Sequence, residues 1–191
     1  MKKTSIFLAT ILLVSGALSA APKKAAAPVE IKPITVKLTE ANLAENQGTM
    51  QNQVFNADGS VTYDAMMRYG GGGISFFING PKEGINLKNY STVHVVFDYK
   101  TVDGWKNSAK APKFKIVTWG PGTTYYNGGV DRCYFDAEEL SGTYEYDLDV
   151  SAMSGKIIKI AVPLNAWKWV EDGGSDEDLV KMTIKEITFL P

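Results

Sequence analysis

Cysteine and histidine are almost absent from the sequence, which holds one of each, Cys133 and His94, in 191 residues. A lone cysteine forms no disulfide within the chain, and we expect Cys133 to be a small buried apolar residue. One histidine leaves the serines without a plausible Ser-His-Asp triad. The sequence also lacks a His cluster and a CxxC motif, so it gives no sign of a transition-metal site.

An excess of positive charge is absent too. The chain has 20 basic and 21 acidic residues, with a net charge of −1. A general nucleic-acid binder would carry a basic surplus to neutralise phosphates. We therefore expect no nucleic-acid partner.

One long apolar run is present, and it lies at the N-terminus. The run "IFLATILLVSGAL" follows the basic start "MKKTS" and precedes small residues, which is the layout of a secretory signal peptide. The run is too short and wrongly flanked for a membrane span. We expect residues 1–21 to be removed after Ala20 or Ala21, which leaves a secreted bacterial protein, extracellular or periplasmic, without a membrane attachment.

The stretch that follows is rich in proline and alanine. Residues 22–32, "PKKAAAPVEIK", contain few bulky side chains, as is typical of a flexible or extended linker. Residues 33–191 then have the length of one domain with its own core.

The pattern of the domain is one of short strands. Apolar and polar residues alternate in "VHVVFDY" and "YEYDLDV", and turn residues such as Asn-Gly and Asp-Gly separate the runs. Many short strands without long helices predict an all-β fold, an antiparallel β-sandwich of the jelly-roll type. At most one or two short helices are expected, at residues 39–46 and after Ser175, where Asp178 stands at capping distance.

Four consecutive glycines, residues 70–73, lie between two of these strands. A phosphate cradle would need a helix after the glycines, and here a strand follows. The stretch instead predicts a turn, or a bulge where backbones approach closely.

Three stretches resemble a known family. "YGGGGISFFI", "INLKNYSTVHVVFDYK" and the closing "MTIKEITFLP" are similar to the β-jelly-roll carbohydrate-binding modules attached to bacterial plant-cell-wall hydrolases. The similarity covers most of residues 35–191 and concerns core and turn positions. It implies a jelly-roll fold and binding of a polysaccharide, β-glucan or xylan-like. No binding motif carries over residue by residue.

Aromatic rings are concentrated in two glycine-rich stretches, "TWGPGTTYYNGGVDR" at residues 118–132 and "LNAWKWVEDGG" at residues 164–174. An exposed ring can stack on the apolar face of a sugar, while polar side chains bond its hydroxyls. Trp119 alternates with Phe114 and Ile116, so it should face outward if they face the core. The candidate carbohydrate-binding residues are Trp119, Tyr125, Tyr126, Asp131, Arg132, Trp167, Trp169 and Arg68.

Other interpretations stay open at this point. Each ring could be a core residue, and Arg68 with Asp131 could form an ordinary surface ion pair. The protein could be a non-enzymatic cell-surface or periplasmic assembly protein. It could also be a small jelly-roll glycosidase with two facing carboxylates, for which Glu145, Asp147 and Asp149 share one strand face.

The acid-rich run "VEDGGSDED" at residues 170–178 raises the question of a cofactor. Its carboxylates could hold a structural calcium ion. They are also explained by a helix start, where negative charge is favoured. No other cofactor is indicated by the sequence.

Overall fold

The computed structural model describes residues 29–47, 49–68, 71–106, 111–121, 133–166 and 169–191, with the backbone alone at 46–47 and 133–135. The described residues form thirteen strands and two short 3-10 turns, Glu40–Asn42 and Leu87–Asn89. In chain order the strands are β1 (Ile34–Thr35), β2 (Leu43–Gln47), β3 (Met50–Phe55), β4 (Val61–Met66), β5 (Gly73–Phe77), β6 (Ile85–Asn86), β7 (Thr92–Thr101), β8 (Lys113–Trp119), β9 (Cys133–Asp136), β10 (Ser141–Asp149), β11 (Lys156–Ile157), β12 (Lys159–Ala161) and β13 (Leu179–Leu190).

The strands form two main sheets. The first has the order β10-β7-β13-β4-β3, with β1 also paired to β13, and the second has the order β2-β5-β12-β8-β9. Strands β11 and β6 make a separate two-stranded ribbon. All of these pairs are antiparallel. The predicted all-β antiparallel sandwich is therefore confirmed, and Ile31–Pro191 is one compact unit.

Strand β7 shows how the sequence pattern becomes two faces of a sheet. Val93, Val95 and Phe97 have no exposed surface, whereas His94 and Asp98 contact side chains on the outer face. Successive side chains of a strand point to opposite sides, so the alternation fixes which residues enter the core. Burying one such side chain contributes about 1.5–3 kcal/mol to the free energy of unfolding.

Aromatic contacts join the two sheets. The ring of Phe114 on β8 meets Phe97 at 4.9 Å and Tyr99 at 5.0 Å between centroids, in edge-to-face geometry. Tyr144 on β10 stacks on Phe97 at 5.6 Å. The core is thus continuous between the sheets at this point.

The glycine-rich stretch lies close against other backbone segments, as predicted. The structure describes three of its four glycines, and the close approach is seen at each of them. A Cβ on Gly73 would lie 2.6 Å from Cα of Pro163. A side chain on Gly71 would overlap the carbonyl of Leu164, and Gly71 has φ +100°, which favours glycine. The glycines therefore let the chain after β4 run against the segment that follows β12.

The predicted helix after Ser175 is wrong. The N–H of Ser175 donates to Oδ2 of Asp178 at 2.8 Å, as in a helix cap, but the bond closes a turn. Strand β13 begins at Leu179, directly after this turn. The reason is that Val180 and Met182 must alternate into the core, which a helical period does not allow. At residues 39–46 the 3-10 turn is followed by strand β2.

Across the described residues, no helix combines the length and the apolar character that crossing a membrane requires.

Candidate functional site

A pocket of about 280 Å³ opens at the end of the sandwich where β4 stops and the chain approaches β13. We call it the end pocket. Two segments line it, one directly after β4 and one between β12 and β13. Its lining residues are Met67, Arg68, Ala166, Trp169, Val170, Glu171 and Asp176.

Backbone hydrogen bonds hold the two segments together. The N–H of Met67 donates to the carbonyl of Asp178 at 2.9 Å, and the N–H of Leu164 donates to the carbonyl of Gly72 at 3.0 Å. The glycines make this approach possible, as described above. The pocket is therefore built on paired backbone at its base.

Trp169 forms the innermost wall of the end pocket. Its side chain is 2% exposed, and its indole N–H donates to Oδ2 of Asp178 at 2.9 Å. The ring also packs against Gly174, where a Cβ would collide with it. Trp105 meets it at 5.1 Å between centroids. The expectation that Trp169 offers an open ring face for stacking is wrong, because these neighbours enclose the ring.

Charged side chains form the outer part of the end pocket. Nε and Nη2 of Arg68 both donate to Oδ2 of Asp176, at 3.3 and 3.2 Å. The two side chains are 40% and 48% exposed, so the pair itself contributes little to stability. Glu171 is exposed, and Val170 is 56% exposed. The pocket thus presents apolar surface and charged hydrogen-bonding groups side by side.

Trp119 lies elsewhere. As predicted, it points away from Phe114 and Ile116: those two belong to the main core, while Trp119 packs with Val117 and Ala161 in a separate cluster. The prediction that Trp119 is exposed is wrong, since it is 5% exposed. Nζ of Lys159 stands 5.3 Å from the ring centroid.

The partner of Lys159 at this second cluster is Glu45, with which it forms an ion pair. The cluster occupies the end of β8 opposite to the end pocket, because Leu164 bridges to Phe114 near the start of β8. From Phe114 to Trp119 the strand runs about 16 Å. Trp119 is therefore not among the residues that line the end pocket.

The structure brings together two of the predicted carbohydrate-binding residues, Arg68 and Trp169. Arg68 pairs with Asp176. This aspartate belongs to the acid-rich run, for which the sequence analysis considered a helix start and a calcium site. The remaining predicted residues, Tyr125, Tyr126, Asp131, Arg132 and Trp167, lie outside the described residues. So does the side chain of Cys133.

The acid-rich run has its partners within the protein. Asp178 accepts hydrogen bonds from N–H groups of Trp169, Ser175 and Lys106, and Glu177 pairs with Lys106 at 3.5 Å. Among the residues that the structure describes, no three or more His, Cys, Asp or Glu side chains are grouped as metal ligands. Asp178 and Glu177 thus bind groups of the protein itself.

The acids proposed for a glycosidase lie on the outer face of β10. Asp147 contacts Nδ1 of His94 at 2.6 Å, and Glu145 lies 3.9 Å from Nε2. The general acid of a glycosidase needs a raised pKa. Side-chain and backbone hydrogen bonds from Ser151 instead hold the pKa of Asp149 below its ordinary value. This arrangement favours an ordinary polar sheet face.

Comparisons with known proteins concern the fold. No protein-family model and no curated protein matches the chain. A family 11 carbohydrate-binding module from Clostridium thermocellum is similar, with 12% identity over 85% of this chain and 97% of that one and a TM-score of 0.44.

Two further solved structures are similar to the same degree. A low-affinity xylan-binding module of family 86 from Roseburia intestinalis has 13% identity over 83% of this chain and 92% of that one, with a TM-score of 0.42. A carbohydrate-binding module from the Cellvibrio mixtus lichenase 5A has 13% identity over 84% and 97%, with a TM-score of 0.39. All three are carbohydrate-binding modules, the class that the sequence resembles.

Proposed function

We propose that this domain binds a polysaccharide without cleaving it, and that the end pocket holds one sugar unit of the chain. The observation that carries the proposal is the composition of the pocket. The apolar side chains of Met67, Ala166 and Val170 line it directly beside the ion pair of Arg68 and Asp176, and Val170 is the exposed one of the three.

A sugar ring has the complementary chemistry. Its C–H faces are apolar and its rim carries hydroxyls, so it gains from burial against one wall and from hydrogen bonds to another. The pocket volume, about 280 Å³, lies near the lower end of the range for small-ligand sites, about 300 Å³. A single sugar unit is therefore a better match than a longer oligosaccharide.

Each charged residue of the pocket has a defined part in this proposal. Arg68 places its positive charge at the wall of the pocket, and Glu171 and Asp176 supply acceptors. Because both bonds from Arg68 end on Oδ2 of Asp176, Oδ1 keeps acceptor capacity for a hydroxyl. Trp169 contributes a fixed apolar edge rather than a stacking platform.

The rest of the proposal follows from the sequence. A β-glucan or xylan-like chain is the ligand class that the family resemblance implies, and the signal-like N-terminus implies that the protein meets it outside the cytoplasm. The alternative of an assembly protein would need an apolar outer face. The outer face of the first sheet instead carries Thr62, Thr183, Asp98 and Lys185, which bond to one another or to neighbours.

Two pairs of matched variants test the pocket. Val170 and Val54 are 56% and 52% exposed, but only Val170 lines the pocket. Val170→Asp should weaken binding of cellohexaose or xylohexaose at least tenfold, which is about 1.4 kcal/mol. Val54→Asp should leave it unchanged. Isothermal titration calorimetry on residues 22–191 measures both.

The charged rim has its own control. The Arg68–Asp176 pair and the Lys185–Asp98 pair have similar exposure, yet only the first lines the pocket. Arg68→Ala should weaken glycan binding at least tenfold, and Lys185→Ala should not. Equal losses in both variants, or in both valine variants, would refute the assignment of the pocket.

A further inference from the structure

Strand β10 is a long, regular edge of the first sheet. It runs for nine residues, Ser141–Asp149, and pairs with β7 in one unbroken register over its whole length. In the sheet order it stands at the end, with β7 on one side only. Among the strands that the structure describes, its other side is therefore an open edge.

The hydrogen-bond pattern shows which residues face that edge. Leu140 accepts from the N–H of Thr101, and the N–H of Val150 donates to Ser91. Antiparallel neighbours alternate between bonded and non-bonded pairs, so the even-numbered residues of β10 bond to β7. The odd-numbered ones direct their N–H and C=O groups outward, and these are Ser141, Thr143, Glu145, Asp147 and Asp149.

No backbone hydrogen bond reaches these five outward N–H groups in the part of the chain that the structure describes. Proteins ordinarily protect such an edge with charged side chains, proline or a bulge. Strand β10 contains no proline, and its register has no shift. Its charged residues are all acidic, so they oppose pairing with an acidic strand but not with a basic one.

Charge decides what kind of strand it accepts. The outer face of β10 carries Glu145, Asp147 and Asp149, and the side chains of Glu145 and Asp147 are 75% and 67% exposed. Across the β7 register Val96, His94 and Thr92 lie opposite these three acids, and none of the three is a lysine or an arginine. The inner face carries Tyr144, Tyr146 and Leu148, which are half-buried against the core.

We propose that β10 binds an extended segment of a partner protein in which lysine or arginine alternates with apolar residues. The added strand would accept and donate backbone hydrogen bonds along the outward groups of β10. Its basic side chains would lie beside the acids, and its apolar ones beside the inner face. A second copy of β10 does not fit, because acids would then lie opposite acids.

Hydrogen exchange followed by NMR tests this edge residue by residue. The probe is a nine-residue peptide of alternating lysine and valine, capped at both ends. In the protein alone, the amides of Thr143 and Asp147 should exchange at least about tenfold faster than those of Tyr144 and Tyr146. With the peptide, the odd-numbered amides should slow at least about tenfold. A glutamate-valine peptide should leave them unchanged.

One further control peptide and two variants separate strand pairing from simple charge attraction. A peptide with the same lysines and valines in two blocks should protect the amides no more than the glutamate-valine peptide does. Glu145→Pro removes one outward N–H without removing a bond to β7, and should weaken peptide binding at least about tenfold. Glu145→Gln keeps the N–H and should weaken it less.

The double variant Asp147→Lys with Asp149→Lys covers the case in which Glu145→Pro does not fold. It should reverse the preference, so that the glutamate-valine peptide protects the edge amides. The proposal is overturned if the lysine-valine peptide leaves the odd-numbered amides unprotected. It is equally overturned if the block peptide protects as well, or if the preference does not reverse.

Discussion

Nε1 of Trp169 donates a hydrogen bond of 2.9 Å to Oδ2 of Asp178, and both residues are only 2% exposed. The same carboxylate accepts from the N–H groups of Ser175 and Lys106, at 2.8 Å each. One buried acid therefore fixes the inner wall of the end pocket, the turn before β13 and the start of the loop after β7.

Removal of this acid should destabilise the protein. Asp178→Ala leaves three buried or half-buried donors without their acceptor, at a cost of about 1–3 kcal/mol for a buried group. We expect the free energy of unfolding to fall by at least about 3 kcal/mol, measured by urea denaturation. The neighbouring exposed Glu177→Ala is the control and should change it by less than about 0.5 kcal/mol. Similar losses in both variants would contradict the role assigned to Asp178.

Trp119→Ala should lower the free energy of unfolding. A side chain that is 5% exposed leaves a cavity when truncated, and tryptophan-to-alanine changes of this kind cost about 3–5 kcal/mol. Thermal melting measures the loss. At temperatures where the variant is folded, binding in the end pocket should match the wild type. An unchanged melting temperature together with lost glycan binding would restore Trp119 as an exposed binding residue.

The ion pair on the outer sheet face predicts a pH dependence. Burial works against ionisation of Asp98, but hydrogen bonds from Lys185 and Thr143 hold its pKa below the ordinary value. A carboxyl with a depressed folded-state pKa stabilises the fold above the unfolded-state pKa, and that contribution is lost as the pH falls below about 4.

Asp98→Asn should therefore lower stability at pH 7 and have a smaller effect at pH 2. The side chains of Lys185 and Asp98 are 44% and 40% exposed, so the effect at pH 7 should be under about 1 kcal/mol. Urea midpoints of the wild type and the variant at both pH values give the comparison. A difference of the same size at pH 2 would mean that the effect does not come from the charge.

The N-terminal prediction is tested in the native host. Mass spectrometry of the exported protein should find a chain that begins at Ala21 or Pro22, because the small residues before them suit signal-peptide cleavage. An exported chain that still carries Met1 would contradict the assignment of residues 1–21.

The sequence was informative where local patterns decide the structure. Alternation in β7 and β10 gave the faces of both strands, and the glycine run gave the close approach at Gly71 to Gly73. It also gave the side of the sheet on which Trp119 lies. These features depend on backbone geometry and on a period of two, which short stretches encode.

Distant contacts decided the rest. The burial of Trp119 depends on Ala161 and Lys159, which come from another strand. Arg68 finds Asp176 across 108 positions of sequence, and no local pattern indicates that pairing. Asp178 stands at capping distance from Ser175, which on its own favours a helix start. Its carboxylate instead accepts a hydrogen bond from the buried indole of Trp169, and the side chains of β13 alternate into the core. The segment is therefore a turn followed by a strand.

The most direct test of glycan binding in the end pocket is an NMR titration of residues 22–191 with xylohexaose and with a β-glucan hexasaccharide. Binding in the pocket predicts that the amide shifts of Arg68, Val170 and Glu171 change most with at least one of the two ligands, together with the indole N–H of Trp169. The amide of Val54 should stay unchanged. No shift with either ligand, or shifts confined to residues around Trp119 and Lys159, would contradict the proposed function.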